Sequence, residues 1–236
     1  MTLSDATRRR LATCSSATLS TQLFKRGLRN QVLQGVSRLT PQSPTMVGEA
    51  FTLRNIPSRE DLDHIGVYEN PEHPQRKAIE IAPPRGVLVI DCRGDARSAS
   101  AGGILVRRLE VRGVAGLVTD GGLRDTLEIA ARSFPVYCKA PAAPISLIHQ
   151  HAVESNVPVA CGGVAVYPGD VIVGDGEGVI VIPGGIADEV AVDTFEQEKL
   201  EQFVQHEIAS GRPLPGTYPP NAETKARYEA WKKERS

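Results

Sequence analysis

The chain has 236 residues, of which 41% are hydrophobic and 23% charged, enough for one large domain with a substantial core. Its 27 Lys and Arg against 28 Asp and Glu leave a net charge of −1, with no global excess to draw in nucleic acid or anionic lipid. Cys14, Cys92, Cys138 and Cys161 stand far apart without C-x-x-C spacing, which excludes a zinc knuckle or a redox dithiol and reads as reduced, buried thiols. No apolar run reaches the roughly 18–20 residues of a membrane helix, and Arg8-Arg9-Arg10 precede no export-type apolar segment, so a soluble cytoplasmic protein acting on a small molecule is expected.

In chain order, Ser4 and Asp5 predict a capped helix through about Leu11, and residues 16–27 predict a second one stopped by Gly27. The basic residues at 8–10, 25, 26 and 29 read as a solvated helix face, because no aromatic residues interleave with them to stack on bases. Residues 41–44 form a loop and 46–54 alternate as a strand. The stretch 57–84 is rich in proline, charge and histidine; short helices are predicted at 58–64 and 74–82, with His64 and His73 facing solvent.

Residues 86–91 read as a buried strand ending in the polar, glycine-bearing loop 92–97. Residues 98–103 then open a helix over 104–112 whose apolar side carries Ile104, Leu105, Leu109 and Val111. Val114 to Thr119 is a second buried strand, Gly121 and Gly122 turn the chain, and 126–132 is a second helix. Two consecutive strand–glycine–helix units imply parallel strands whose turns, Gly102-Gly103 and Gly121-Gly122, lie side by side. The unpaired N–H groups of both helix starts then face one cleft.

Arg124 and Asp125 fall at that cleft, a guanidinium able to grip a carboxylate beside a carboxylate able to hold a hard cation. Asp125 and Glu128 also have the Asp-x-x-Glu spacing of a capping box, and Arg124 alone could be a surface ion-pair partner. From spacing alone neither cap nor ligand is favoured for Asp125, and the two oxygens can serve both. No G-x-G-x-x-G follows a strand and no P-loop is present, so the glycines read as turns that admit a small anion.

Downstream, 134–138 is a short strand and 147–154 a predicted helical turn. Strands at 157–161, 164–167, 170–174 and 178–182 are separated by glycine-rich hairpin turns, with Asp170, Asp175 and Glu177 as turn residues. A long amphipathic helix runs from about 186 to 210, with Val190, Phe195, Leu200, Phe203, Val204 and Ile208 as apolar positions and Gly211 as its stop. The predicted division is one α/β domain over 1–211 and a C-terminal arm over 212–236 that packs on a neighbouring subunit.

Three motifs in order resemble the RraA-like family, which includes 4-hydroxy-4-methyl-2-oxoglutarate and 4-carboxy-4-hydroxy-2-oxoadipate aldolases. They are Gly113-Val-x-Gly-x-Val-x-x-Gly-x-x-Arg-Asp125, Phe134-Pro-Val136, and Gly162-Gly-Val-x-Val-x-Pro-Gly-Asp170 followed by Asp175-Gly-x-Gly-Val-x-Val-Ile-Pro183. The resemblance covers about residues 17 to 211. It implies an α/β fold with a swivelling β/β/α-type core, a central mixed sheet, N-terminal helices and a long C-terminal helix, assembled as a trimer or a dimer of trimers with sites at subunit interfaces.

By the same resemblance, Arg124 grips a 2-oxo acid, Asp125 binds Mg²⁺ or Mn²⁺, and the glycine turn at Gly102 with the amides of Gly103, Ile104 and Leu105 holds the substrate carboxylate. The implied activity is that of a metal-dependent lyase, an aldolase or oxaloacetate decarboxylase working through a pyruvate enolate. The alternatives are a non-catalytic, RraA-type regulator that binds a ribonuclease, and a hydrolase or dehydratase acting on a sugar-derived 2-oxo acid. The regulator branch lacks the metal-binding aspartate, so the Arg-Asp pair favours an enzyme.

One departure stands out. The aldolases carry an acid at the position of Gly103, twenty-one residues before Arg124, where it helps order a water at the metal. The expected replacements are Asp95, Asp120, or Glu198 and Glu201 from the long helix of a neighbouring subunit.

Overall fold

The computed structural model describes residues 3–233. Helices α1 (Asp5–Leu11) and α2 (Ser16–Lys25) are capped by Ser4 and Ser15, whose hydroxyls accept from the Thr7 and Thr18 amides. There follow β1 (Ser37–Arg38), β2 (Met46–Pro57), α3 (Pro74–Ile81), β3 (Val87–Asp91), β4 (Ala99–Ala101), α4 (Gly103–Val111), β5 (Gly116–Thr119), β6 (Gly122–Leu123) and α5 (Thr126–Ala130). The chain continues through β7 (Val136–Cys138), β8 (Ala140–Pro141), β9 (Gln150–Ser155), β10 (Val159–Cys161), β11 (Val164–Val166), β12 (Val171–Gly174), β13 (Val179–Ile182), α6 (Ala187–Ala209) and α7 (Ala222–Lys233).

The central sheet has the order β1-β7-β5-β3-β2-β12-β13, with β9 also pairing to β2. Strands β2, β3, β5 and β7 run parallel, while β12, β13, β9 and β1 add antiparallel partners. The parallel strands come from the strand–glycine–helix units read in the sequence, and every residue of β3 and β5 is buried, as sheets covered on both faces require.

Alternation along β3 sends side chains into two layers. Leu88 and Ile90 pack with Val106, Leu109 and Ile129 of the helical layer; Val87 and Val89 pack with Val164, Ile172 and Val181 of the hairpin layer. A third cluster seats α1, α2 and α6 against β12 and β13 through Leu11, Leu19, Leu23, Ile180, Ile182 and Val190. This is the mixed sheet with N-terminal helices and a long C-terminal helix that the sequence resemblance implies. Close packing shows at Gly116, where a Cβ would lie 2.3 Å from Met46 Sδ and 3.0 Å from the Pro135 carbonyl oxygen.

All four cysteines are free and buried, and burial pushes the Cys14 and Cys138 thiols up to about 11, which makes them poor nucleophiles at neutral pH. Helix α7 lies on α6 of its own chain, with the Phe203 ring 5.5 Å from that of Tyr228 and 5.7 Å from that of Trp231. No helix among the described residues is long and apolar enough to cross a membrane.

Two elements differ from the sequence reading. Residues 58–64 form turns rather than a helix, with a single 3₁₀ stretch at Ile65–Glu69. The Asp63 carboxylate accepts from the Arg59 amide and meets His151 Nδ1 at 2.8 Å, so a local side-chain bond and a distant partner outcompete the helical ladder. Residues 147–154 are likewise not a helical turn beyond Ile148: β9 pairs with the last residues of β2, and sheet pairing overrides local propensity.

Candidate active site

The site is built by a small three-stranded ladder. Strand β6 pairs parallel with β4 and β8, placing Ala99 opposite Gly122 and Ala101 opposite Leu123, so the start of α4 lies directly beside Arg124 and Asp125. A Cβ on Gly102 would fall 2.8 Å from Asp125 Oδ2 and 2.9 Å from Arg124 Nε, so a side chain there would displace the Arg-Asp pair.

Asp125 adopts the left-handed conformation, φ 57° and ψ 33°, and makes no side-chain cap on α5. The capping-box reading is therefore corrected: the backbone twist turns the carboxylate toward the neighbouring helix, where Oδ2 accepts from the Gly103 amide at 2.9 Å. Asp125 thus caps α4 instead of its own helix. This satisfies one of the orphan donors at the α4 start and sets a negative charge against the positive end of its dipole. Arg124 Nε lies 3.6 Å from the same Oδ2, and both side chains are 44% exposed.

Arg124 and Asp125 line a cavity of about 170 Å³ together with Gly102, Ile104 and Leu105. Five of the six residues singled out in the sequence therefore meet on one wall. Gly103 does not line the cavity, and its amide is committed to Asp125. The Ile104 and Leu105 amides, in the first turn of α4, remain as donors without an intrahelical acceptor.

Of the expected replacements for an acid at position 103, neither Asp95 nor Asp120 lines this cavity. Asp120 is 3% exposed and holds three amides, those of Cys92, Gly94 and Gly162, at 2.7, 2.8 and 3.2 Å. Asp95 is chelated by Arg97, whose guanidinium and amide hold its carboxyl well below the usual carboxylate range. In this chain Glu198 accepts from the Ser15 amide and hydroxyl at the start of α2, and Glu201 from Thr18 and Gln197.

Besides Asp125, the carboxylate beside Gly103 is that of Glu128, which does not line the cavity either. A Cβ built on Gly103 would lie 2.8 Å from Glu128 Oε2, so this side chain fills the space that a residue at 103 would otherwise occupy. It also pairs with Arg132 on the next turn. Sequence reasoning had treated Glu128 only as half of a capping box. The signal it passed over was the glycine at 103, which makes room for a carboxylate from the adjacent helix.

The opposite wall includes Tyr68, Gln75 and Arg76 from the proline-, charge- and histidine-rich stretch 57–84, and Ala99, Ala101, Ile145 and Ser146 complete it. Arg76 stacks on the Tyr68 ring with its guanidinium carbon 4.2 Å from the ring centroid, and Tyr68 Oη bonds the Ser146 hydroxyl. Gln75 is 5% exposed; its Nε2 donates to the Ser100 carbonyl at 2.6 Å while its Oε1 has no partner. A buried, unpaired acceptor costs about 1–3 kcal/mol. His73, expected to face solvent, sits edge-on to Tyr68 with centroids 5.4 Å apart, and burial together with the Arg76 charge lowers its pKa.

Among the described residues, no three His, Cys, Asp or Glu side chains gather to form a cation cage. What the cavity presents is the Asp125 carboxylate, whose Oδ1 is uncommitted. A sparse, all-oxygen donor set suits a hard cation that keeps most of its waters, which fits Mg²⁺ or Mn²⁺ better than a thiolate- or imidazole-bound metal.

These features define an α/β protein in which two glycine turns bring an Arg-Asp pair against a helix start, on a sheet flanked by a hairpin layer. The chain belongs to the RraA-like family: the family model described as Aldolase/RraA matches residues 2–181. A relative from Halalkalibacterium halodurans, carrying the provisional name 4-hydroxy-4-methyl-2-oxoglutarate aldolase, is 41% identical over 115 residues, 48% of this chain and 54% of that protein. The 4-hydroxy-4-methyl-2-oxoglutarate aldolase of Thermus thermophilus is 36% identical over 109 residues, 46% of this chain and 65% of its own. The matches to these two relatives thus span between half and two thirds of their length.

Among solved structures, Streptomyces coelicolor RraAS2, described as an unusual member of the RNase ES inhibitor RraA protein family, superposes with a TM-score of 0.76 at 30% identity. It covers 87% of this chain and 98% of that one. An uncharacterized Pseudomonas syringae protein superposes with a TM-score of 0.77 at 22% identity, which speaks for the fold alone.

Proposed function

We propose that this chain is a divalent-metal-dependent lyase that opens a carbon–carbon bond of a 2-oxo acid, by aldol cleavage, decarboxylation of oxaloacetate, or both. The observation that supports this reading most is the meeting of Arg124, Asp125 and the first-turn amides of α4 on one small cavity. A Mg²⁺ or Mn²⁺ ion bound there would supply Lewis-acid polarisation of the keto oxygen.

The chain's own groups then have separate tasks. Asp125 Oδ1 would hold the cation, its carboxylate kept in place because Oδ2 is anchored to the Gly103 amide. The Ile104 and Leu105 amides hold the substrate carboxylate at the positive end of α4. Arg124 receives the negative charge that grows on the keto oxygen as the bond to the third carbon breaks. Glu128 Oε2, beside Gly103 but outside the cavity lining, would act only through a bridging water, returning to the third carbon a proton taken from the 4-hydroxyl in aldol cleavage or from solvent in decarboxylation. The working unit is a homotrimer or a dimer of trimers, and the partners are small 2-oxo acids rather than nucleic acid or membrane.

The test is a lactate-dehydrogenase-coupled assay for pyruvate from oxaloacetate and 4-hydroxy-2-oxo acids, with and without EDTA. Wild type should release pyruvate in an EDTA-sensitive manner, and Arg124→Ala should lower kcat by about 10²–10³, the scale of one lost oxyanion donor. Pyruvate release that is absent, or indifferent to both EDTA and Arg124→Ala, would overturn the reading.

Glu128→Ala should lower kcat. Adding Gly103→Asp to Glu128→Ala should restore activity in part, because the new carboxylate enters the space that the truncated side chain leaves.

A second reading, a protein-binding regulator, is supported by the likeness to RraAS2. Inhibition of a ribonuclease by the Arg124→Ala protein, at the potency of wild type and without any lyase activity in either, would favour it.

A further inference from the structure

Arg76 and Gln75 carry chemistry that bond opening at Arg124 and Asp125 does not use. Both line the same cavity as that pair, reached from the segment that precedes and opens α3. Gln75 is almost fully buried. Its Nε2 is fixed on the Ser100 carbonyl, which sets the amide orientation and leaves Oε1 as an acceptor with nothing to accept from.

Arg76 is held by its flat face. The Tyr68 ring lies under the guanidinium, and Tyr68 is itself tied to Ser146, so the cation is positioned by a stacked and hydrogen-bonded support. Among the described residues no carboxylate pairs with Arg76, which leaves the donor edge of the guanidinium free. A stacked guanidinium with a free edge is suited to bidentate recognition of a planar anion.

Charge balance points the same way. The wall holds two guanidinium groups, Arg76 and Arg124, and one carboxylate, Asp125. The cavity, at about 170 Å³, is well below the roughly 300 Å³ at which drug-sized pockets begin, so both ends of one small metabolite can be in contact with it.

We propose that Arg76, supported by Tyr68, and Gln75 form a second subsite that reads the remote end of the substrate, Arg76 taking a carboxylate there and Gln75 Oε1 accepting from a hydroxyl. The assignment rests on the 2-oxo acid reading for the near end of the ligand. It makes residues 75 and 76, outside the Arg-Asp motif, the determinants of which 2-oxo acid is selected.

The test is calorimetric binding in Mg²⁺ buffer, using oxalate for the near end alone, 2-oxoglutarate for a chain with a remote carboxylate, and 2-oxopentanoate for a chain of the same length without one. Wild type should bind 2-oxoglutarate at least tenfold more tightly than 2-oxopentanoate. Arg76→Met should abolish that preference while leaving oxalate affinity and the melting temperature unchanged, and Arg76→Lys should keep part of it. For the hydroxyl, the KM for 4-hydroxy-2-oxoglutarate in the pyruvate-release assay should rise in Gln75→Met, while the oxalate affinity of that variant stays at the wild-type value; a KM unchanged by Gln75→Met overturns the role of Oε1.

A wild-type preference below twofold, or one that survives Arg76→Met, overturns the subsite however oxalate behaves. Absence of oxalate binding, with 2-oxoglutarate still bound in an Arg76-dependent manner, would sink the near-end reading and retain the subsite.

Discussion

Asp120 separates architecture from chemistry, and Asp120→Asn is the substitution that tests the separation. Its carboxylate is buried and accepts three backbone amides: Cys92 on Oδ1, and Gly94 and Gly162 on Oδ2. Asparagine keeps one acceptor oxygen and turns an NH₂ group toward amides that are themselves donors. With the oxygen facing Gly94 and Gly162, the Cys92 amide is left buried and unpaired at a cost of about 1–3 kcal/mol, and the other two bonds lose the strengthening of a charged acceptor. The sum is about 3–5 kcal/mol, which for a chain of this size lowers Tm by roughly 10 °C or more. Urea melts followed by circular dichroism should show a lower midpoint with an unchanged slope. Pyruvate release measured well below the melting range should stay within a few-fold of wild type, because Asp120 does not line the cavity. An unchanged midpoint with collapsed activity would show that this carboxylate acts on substrate and that the site has been drawn in the wrong place.

Asp175 should govern part of the acid limb of stability. Burial raises its pKa, but bonds from the Ser16 amide and hydroxyl and from the Glu177 and Gly178 amides outweigh burial and leave it below the usual carboxylate range. The stabilisation is complete above that usual range and is lost as pH falls through the lowered native value, so Asp175→Asn should lessen the pH dependence of urea midpoints between pH 5 and about pH 2. Gly116→Ala should destabilise by about 1–3 kcal/mol in the same melts, since the new methyl meets Met46 and a backbone carbonyl; Gly176→Ala, with open space around it, should be near neutral.

The sequence was most informative where local pattern and tertiary role coincide. Buried runs at 86–91 and 114–119, each followed by a glycine turn and a helix, were sufficient to predict parallel neighbours and a cleft shared by two helix starts. The pattern misled where a side chain bonds across the fold: Asp63 reaches His151, and Asp125 caps α4 rather than α5, neither of which any spacing rule records. Glu128 was overlooked for the same reason, since its significance comes from an absent side chain on another helix. Arg76 and Gln75 were lost in a stretch whose proline, charge and histidine content resembles a solvated loop, although α3 and Tyr68 fold it against the cavity.

Strand β2 deserves its length of twelve residues. Its first residues pair with β12, its middle with β3 and its end with β9, so the hairpin layer and the helical layer share one backbone as a common spine. Neither half can come apart without stripping partners from the other, which couples the melting of the cavity wall to that of a hairpin layer far from it. The amides of β2 should therefore be among the slowest in the chain to exchange with deuterium.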